Sequence, residues 1–168
     1  MAGQPPDGEP VPADGRLPES STVRLGAAPF GVYVHIPFCR TRCGYCDFNT
    51  YTATELGPGA TRDSYAGQAI AEIRMARAVL GDGAALVSTV FFGGGTPTLL
   101  PPGDLAAILA AIGAEFGLEP GAEVTAEANP ESVDQRYLDE LRAGGFTRVS
   151  FGMQSAVPGV LSVLDRKH

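Results

Sequence analysis

The chain has 168 residues, of which 12 are basic and 19 acidic, and its formal net charge is −7. This length suits one domain, and the acidic balance without a basic run argues against binding to nucleic acid. No apolar run approaches the roughly 20 residues of a membrane span, and the first residues lack the apolar stretch of a secretory signal. The three cysteines, an odd number within eight residues, favour a reducing compartment over a disulfide framework. We therefore expect a cytoplasmic protein.

The N-terminal part of the chain divides into a tail, a strand and a loop. Residues 1–28 are rich in Pro and Gly and predict a disordered tail ahead of a folded region at 29–168. From Phe30, β-branched and aromatic residues alternate and predict a strand that ends at Pro37. A long loop at 38–61 follows and holds all three cysteines. Such loops in compact domains are usually functional or disordered, and the cysteines favour a functional one.

Helices and strands alternate through the remainder of the chain. Apolar side chains at helical spacing predict helices at about 62–80, 102–116, 133–143 and 158–166. Apolar runs with β-branched residues predict strands at 86–92, 122–128 and 148–153. Strands that alternate with helices predict an α/β fold with a parallel sheet and right-handed crossovers, either open or closed into part of a barrel.

Residues capable of binding or chemistry follow the C-terminal end of every predicted strand. The cysteines follow the first strand and a glycine run follows the second, while Glu127 and Asn129 close the third and Gln154 and Ser155 close the fourth. Ligands of parallel α/β folds bind at this end of the sheet. The convergence of four loops on one rim therefore predicts a binding site there.

Cys39, Cys43 and Cys46 form a Cys-x-x-x-Cys-x-x-Cys motif, which is the strongest signal in the sequence. Thiolates are the soft ligands that iron–sulfur clusters take. Four cysteines would complete the coordination of a [4Fe–4S] cluster, whereas three leave one iron open to a substrate. The motif therefore predicts a cluster that takes part in chemistry rather than a simple electron carrier.

The surroundings of the cysteines leave two alternatives open. The thiols could be inert core side chains, although their loop is polar, or they could bind zinc with His35 as the fourth ligand. The position of His35 within a strand, and the stiffness of Pro37, argue against zinc. Arg40 and Arg42 are expected to lower the pKa of the thiols and to offset the negative charge of a cluster.

The segment from Tyr33 to Asn49, YVHIPFCRTRCGYCDFN, closely resembles the radical S-adenosylmethionine (SAM) family of oxygen-independent coproporphyrinogen III oxidases and HemW-type haem chaperones. The resemblance covers about 31–168 and includes Gly-Gly-Gly-Thr-Pro-Thr, Glu-Ala-Asn-Pro and an Arg-x-Ser-x-Gly-x-Gln run in the expected order. It implies a [4Fe–4S] cluster on the three cysteines and SAM on the open iron. It also implies an electron donor such as flavodoxin or ferredoxin, and cleavage of SAM into methionine and a 5′-deoxyadenosyl radical.

The resemblance implies two groups of residues that contact SAM. Gly94, Gly95 and Thr96 match the stretch whose backbone holds the methionyl amine, although a glycine triplet alone suits a tight turn equally well. Glu127 matches a carboxylate that accepts hydrogen bonds from SAM. Its alternative is a rim-exposed side chain, because an unpaired carboxylate is costly to bury.

Three further residues are assigned to SAM by the resemblance alone. Tyr33 matches a residue beside the methionine of SAM, Tyr45 is expected near the adenine, and Gln154 matches another contact position. A core strand tyrosine is the alternative for Tyr33. Arg148 receives no assignment, because it could equally pair with a surface acid.

Phe48 separates the two branches of the family. The oxidases carry a further cysteine two residues after the third, and this chain has Phe48 there, within Asp-Phe-Asn. That continuation is similar to the HemW-type branch, which implies binding of haem and its transfer to acceptor proteins. The alternatives are an oxidase that decarboxylates porphyrinogen propionates to vinyl groups, a role of cluster and SAM without turnover, and a non-catalytic zinc module.

The extent of the resemblance also gives an expectation about domain content. The family barrel has about six βα units, whereas four strands are predicted here, and the chain has no Trp where the HemW-type branch has a Trp-containing haem-binding segment. We therefore expect residues 29–168 to be the N-terminal part of a radical SAM core. It would hold most of the SAM site, lack the substrate site and be inactive alone.

Overall fold

The computed structural model describes residues 17–18, 22–23, 25–52, 55, 61–81 and 84–164. The predicted tail lies largely outside these residues. Within them, strands and α-helices alternate in the order β1 (Phe30–Ile36), α1 (Arg62–Leu80), β2 (Val87–Gly94), α2 (Pro102–Phe116), β3 (Leu118–Ala128), α3 (Gln135–Ala143), β4 (Arg148–Phe151) and α4 (Pro158–Val163). None of the helices in the described ranges is both long and apolar enough to cross a membrane.

The four strands form one parallel sheet in the order β1-β2-β3-β4. The predicted α/β class and parallel sheet are thus confirmed. Because each strand is added on the same side of the last one, right-handed crossovers carry the helices to one face of the sheet. α2 accordingly packs against both α1 and α3. This is the arrangement of part of a (β/α) barrel, since a doubly wound sheet would reverse its strand order.

The core lies between the sheet and this layer of helices. Strand residues two apart point to the same face, so Val34 and Ile36 of β1 join Val90 and Phe92 of β2 beneath the helices. The helices contribute a fully apolar face, formed in α2 by Leu105, Ile108, Leu109 and Ile112. The opposite face of the sheet carries polar and aromatic side chains in paired positions, including Tyr33, His35, Phe91, Thr125, Glu127 and Ser150.

Three strand boundaries differ by two or more residues from the sequence-based expectation. β2 continues through Gly93 and Gly94, because both residues pair with the end of β1. β3 begins four residues early, at Leu118, which pairs with Val87 across an irregular register. β4 ends at Phe151, where its pairing with Ala128 is the last of the ladder. Ladder partners are distant in sequence, so local patterns do not reveal these ends.

Candidate functional site

The cysteine loop leaves β1 and returns to it. Phe38 and Tyr51 form a parallel bridge at its base. The Tyr51 amide donates to Pro37 O at 2.7 Å, and the Cys39 amide donates to Tyr51 O at 2.9 Å. These bonds close the loop around the cysteines, so the motif is held at the C-terminal end of the first strand.

His35 fastens the same loop through its side chain. His35 Nε2 lies 2.8 Å from Asn49 O, and because a carbonyl can only accept, Nε2 carries the proton. Nδ1 then accepts from the Tyr33 hydroxyl at 3.1 Å. Tyr65 of α1 donates to the His35 carbonyl at 2.6 Å. With both ring nitrogens engaged, His35 serves as a clamp, and its geometry does not favour the role of a fourth zinc ligand.

The glycine run packs against the base of the cysteine loop. The Gly95 amide donates to Ile36 O and the Thr96 amide to Phe38 O, both at 2.7 Å. A Cβ added to Gly95 would lie 2.4 Å from Phe38 O and 3.0 Å from Cys39 Sγ. Gly94 adopts a φ of 111°, a region that side chains disfavour. The run therefore continues a strand and allows a close backbone approach, and the tight-turn alternative does not apply.

The three thiols are half-buried and no disulfide joins them. Burial raises the pKa of Cys39, and the negative charges of Cys46 and Cys43 add to that increase. Thr50 and Thr96 act in the opposite direction through hydrogen bonds to Cys39. Cys46 Sγ also lies 3.8 Å from Thr50 Oγ1. The thiols are therefore close enough to influence one another.

The arginines of the loop do not act on Cys39 as the sequence predicts. The expectation that Arg40 and Arg42 lower the thiol pKa is wrong for Cys39, because burial is the largest influence on that pKa and raises it. Arg42 instead donates to the Thr50 carbonyl and lies 3.6 Å from a Glu55 carboxylate oxygen. Its described contacts fix the shape of the loop.

The donor set suits an iron–sulfur cluster. Three thiol side chains in one loop supply the soft donors that iron takes in such clusters. Within the described ranges, there is no group of three or more His, Cys, Asp or Glu side chains placed to bind a single metal ion. A [4Fe–4S] cluster presents a separate iron to each thiolate, so it requires no such shared position. The chemistry of the residues therefore fits the cluster.

A cleft of about 670 Å³ opens at the C-terminal ends of the strands. Of the residues that the sequence assigns to cluster and SAM, all except Tyr33 line it: Cys39, Cys43, Tyr45, Cys46, Gly94, Gly95, Thr96, Glu127 and Gln154. The cleft thus brings together loops that follow all four strands, as the rim argument predicts. The Gly44 amide also donates to Leu164 O at 3.4 Å, so the residue that follows α4 contacts the cysteine loop.

Tyr33 lies beside the cleft rather than in its lining. Its ring stacks on Phe91 with centroids 6.1 Å apart, and its hydroxyl is bonded to His35. Burial raises the pKa of Tyr33, and the charge of Glu127 adds to it. A Cβ on Gly93 would meet the Tyr33 ring at 3.1 Å and Glu127 Oε2 at 3.0 Å. Tyr33 and Glu127 therefore lie near each other on the same face of the sheet, on either side of Gly93.

Glu127 faces the cleft from the end of β3. The side chain is half-buried, and its Oε2 accepts from the Gly94 amide at 3.4 Å. Among the described residues no ion pair involves Glu127. A carboxylate in this position can accept hydrogen bonds from a cationic or donor-rich ligand.

Gln154 is an exposed residue that adopts a left-handed backbone conformation, with φ 65°. For a residue with a side chain this conformation costs roughly 1–2 kcal/mol. Residues held in such conformations cluster at ligand sites. Arg148, in contrast, lies away from the cleft lining and pairs with Glu123 at 3.4 Å.

The sequence assigns no contact with SAM to two further polar residues of the cleft, since it does not single out Ser150 and places Asn129 only at the rim. Ser150 is the register partner of Glu127 on β4, and Asn129 donates from Nδ2 to Thr96 Oγ1 at 3.0 Å. Both line the cleft. Thr96 itself is buried and joins β2 to β3 through this bond. Alternation along β4 places Ser150 on the face of Glu127 once the register is known, but the register is not visible in the sequence.

Comparison with known proteins agrees with this arrangement. Residues 33–168 match the Radical SAM superfamily. "Heme chaperone HemW" of Mycobacterium tuberculosis is 53% identical over 140 residues, which cover 83% of this chain and 35% of that protein. "Radical S-adenosyl methionine domain-containing protein 1, mitochondrial" of Mus musculus is 37% identical over 166 residues, or 99% of this chain and 33% of that protein.

The fold has a solved counterpart. The structure described as "Coproporphyrinogen III oxidase (HemN) from Escherichia coli is a Radical SAM enzyme" superposes with a TM-score of 0.74 at 30% identity. The match covers 89% of this chain and 33% of that one. The chain thus spans about a third of the length of the relatives that it matches.

Proposed function

Because the chain belongs to the radical SAM superfamily, we propose that Cys39, Cys43 and Cys46 hold a [4Fe–4S] cluster and that SAM binds beside it. The observation that carries the proposal is the single cleft of about 670 Å³ onto which the three thiols, the glycine run and Glu127 all open. Three thiolates leave one iron of the cluster without a protein ligand. When bound, the cluster supplies an electron and an open coordination position for SAM.

The glycine run offers hydrogen-bond acceptors to SAM. The amides of Gly95 and Thr96 are bonded to the base of the cysteine loop, so the backbone of these two residues can bond a ligand only through its carbonyl oxygens, of which Thr96 O also accepts from the Leu99 amide. The amino group of SAM is a donor and suits such acceptors. The Glu127 carboxylate extends the acceptor surface on the neighbouring strand. We assign Gly94 to the same contact, since its left-handed conformation brings the backbone close to the loop.

Tyr45 and Gln154 complete the proposed SAM site. Tyr45 is nearly half exposed while it lines the cleft, and an accessible aromatic ring there suits stacking with adenine. The amide of Gln154 can both donate and accept, and its backbone conformation holds it at the rim. Tyr33 is assigned a supporting contact through Glu127 and His35.

For the protein as a whole we propose a HemW-like haem chaperone. Phe48 lines the cleft with 62% of its surface exposed, and it has no thiol to offer where the oxidases have a further cysteine. The M. tuberculosis relative carries the name of a haem chaperone. Haem or a porphyrinogen would be the partner, a flavodoxin or ferredoxin the electron donor, and the cytoplasm, which keeps thiols reduced, the compartment.

An oxygen-independent coproporphyrinogen III oxidase is the second candidate, favoured by the structural match to the Escherichia coli enzyme. The two candidates share the cluster and SAM, and differ in what is bound next. Because this chain spans about a third of the length of its relatives, the test uses reconstituted protein of the relatives' full length, titrated with haem and with coproporphyrinogen III in the presence of SAM and a reductant. Haem binding without decarboxylation favours the chaperone, and conversion of propionates to vinyl groups favours the oxidase.

Reconstitution of the chain with iron and sulfide under anaerobic conditions tests the cluster. Wild-type protein is expected to retain about four irons, because the ligands of a [4Fe–4S] cluster are cysteine thiolates. Cys43→Ala is expected to lose most of this iron. Thr41→Ala is the matched control, since Thr41 lies in the same loop and lines the cleft without a thiol. Equal iron in both variants would exclude Cys43 as a ligand.

A further inference from the structure

Thr50 is a buried hydroxyl at the base of the cysteine loop, with 1% of its surface exposed. Burial of a hydroxyl without a hydrogen bond costs about 1–3 kcal/mol. Two acceptors have hydrogen-bond geometry to its Oγ1: Cys46 Sγ at 3.8 Å and Phe48 O at 3.4 Å. Which of them receives the single hydroxyl proton decides what Thr50 does.

Phe48 O already has a better donor. The Thr50 amide donates to it at 2.8 Å, so the carbonyl is satisfied without the hydroxyl. Cys46 Sγ becomes a pure acceptor once the thiol is deprotonated to bind iron, because a thiolate has no proton to give. Hydrogen bonds to a charged acceptor are stronger than those between neutral groups. The proton of Thr50 is therefore expected to point to sulfur in the metal-bound state.

The backbone of Thr50 is fixed on both sides. Arg42 donates to its carbonyl oxygen, and the next residue, Tyr51, bonds to Pro37 and Cys39 at the loop base. Cys39 also lies near this hydroxyl, but Cys46 is the cysteine whose sulfur has hydrogen-bond geometry to it, at 3.8 Å. With its backbone held, its side chain buried and its χ1 torsion restricted by β-branching, the hydroxyl stays close to the sulfur.

We propose that Thr50 is a positioning residue whose hydroxyl donates to the Cys46 thiolate and so stabilises the reduced state of the cluster. This inference rests on the proposed cluster. Reduction adds negative charge that spreads onto the thiolate ligands, and a donor to sulfur stabilises that charge. Hydrogen bonds to the sulfur atoms are among the features that set the reduction potential of iron–sulfur clusters.

The test compares the midpoint potential of the reconstituted cluster in wild type, Thr50→Val and Thr50→Ser, measured by a redox titration followed by EPR. Valine keeps the volume and removes the hydroxyl, whereas serine keeps the hydroxyl. We expect Thr50→Val to lower the reduction equilibrium constant about tenfold, a shift of about 59 mV to a more negative potential. Thr50→Ser should stay near wild type.

A matched control and a second measurement accompany these variants. Thr125→Val removes another buried hydroxyl, which donates to Glu123 rather than to a cysteine, and should leave the potential unchanged. The rate at which a chelator removes iron should rise several-fold in Thr50→Val alone. Circular dichroism of each apo-protein establishes that the variants fold alike.

Equal potentials for folded Thr50→Val and wild type would overturn the proposal, as would a Thr50→Ser shift as large as that of valine. If Thr50→Val does not fold, Thr50→Ser and Thr50→Ala make the same comparison, and equal potentials for that pair would overturn it too. If Thr50→Ser retains the cluster and folded Thr50→Val or Thr50→Ala loses it, the result supports a role of the hydroxyl at the cluster. Wild-type protein that binds no cluster would refute the proposed function itself, whereas a bound cluster insensitive to Thr50 refutes only this inference.

Discussion

Two of the glutamates of β3, Glu123 in the middle of the strand and Glu127 near its C-terminal end, have different surroundings. Glu123 lies 3.4 Å from Arg148 and accepts from Thr125 at 2.8 Å. Glu127 lies four residues further along β3. It faces the cleft and accepts from the Gly94 amide at 3.4 Å. Glu123 thus has its hydrogen-bond and ion-pair partners within the sheet, whereas Glu127 is directed toward the open cleft.

The difference extends to the rest of the cleft. Its lining includes the exposed aromatic side chains of Tyr45 and Phe48 and the left-handed Gln154. Exposed apolar rings and strained backbone each lower the stability of a chain without a ligand. Exposed aromatic rings and a strained backbone at the C-terminal end of the sheet are expected where function requires them.

The largest expected effect comes from filling the space beside Cys39. Gly95→Ala places a Cβ 2.4 Å from Phe38 O, so the backbone must move, and overpacking of this kind costs about 3 kcal/mol. Gly67→Ala, on the exposed face of α1, meets nothing within 4 Å and should stabilise by about 0.5–1 kcal/mol. Urea unfolding of the apo-proteins measures both. A tolerated Gly95→Ala would show that the close approach is not required.

The two glutamates provide the next comparison. Glu127→Gln should weaken SAM binding about tenfold to a hundredfold, because it removes the charge from a hydrogen-bond acceptor. Glu123→Gln should leave SAM binding unchanged and lower the free energy of unfolding by at most about 1 kcal/mol, since its ion pair is exposed. Anaerobic calorimetry with the reconstituted proteins gives the affinities. Equal effects of the two changes on SAM affinity would mean that Glu127 contributes no more to SAM binding than Glu123 does.

Variants of Gln154 distinguish the cost of its left-handed backbone conformation from the contribution of its side chain to SAM binding. Gln154→Gly and Gln154→Ala both remove the side-chain amide and should weaken SAM binding about threefold to tenfold, the range of one neutral hydrogen bond. Only glycine relieves the left-handed conformation, so the glycine variant should be more stable than the alanine variant by about 1 kcal/mol. Thermal unfolding reports the stability difference. Alanine as stable as glycine would mean that the conformation is not strained.

The smallest effect concerns Tyr65, whose hydroxyl holds the end of β1. Burial, with smaller contributions from the charges of Glu72 and Tyr33, raises the pKa of Tyr65 from 10.0 to about 12. Since the folded pKa is the higher one, this contribution to stability is complete below pH 10 and is lost as pH rises toward 12. Tyr65→Phe should cost about 1 kcal/mol at neutral pH and flatten the decline above pH 10.

The alkaline decline will not vanish in that variant, because burial raises the pKa of Tyr33 and Tyr137 as well. Urea unfolding of apo-protein at pH 8, 10 and 11 gives the comparison. An unchanged slope in Tyr65→Phe would assign the alkaline loss of stability to other groups.

The sequence was sufficient for those features that depend on local pattern. The helical period predicted the bounds of α1 and α2 as the structure has them. The order of elements predicted the parallel sheet, and parallel strands bring their C-terminal loops to one rim. The convergence of the cysteines, the glycine run and Glu127 on one cleft follows from that topology alone.

Features that depend on partners distant in sequence could not be predicted. Gly93 and Gly94 belong to β2 only because His35 and Ile36 pair with them. Ser150 joins the cleft through its register with Glu127. The expected effect of Arg42 on the pKa of Cys39 is absent, and the Arg42 guanidinium instead donates to Thr50 O. Local sequence patterns do not reveal the register between strands, nor which acceptor a side chain such as Arg42 will bind.

The most direct test of the account is EPR of the dithionite-reduced, reconstituted chain, recorded with and without SAM. Three protein thiolates leave one iron open, so the account predicts about four irons per chain and a signal that SAM changes. Glu127→Gln should require more SAM for the same change. A cluster signal that saturating SAM leaves unaltered, or one retained zinc per chain and no cluster, would contradict the central claim that this cleft joins SAM to an open iron.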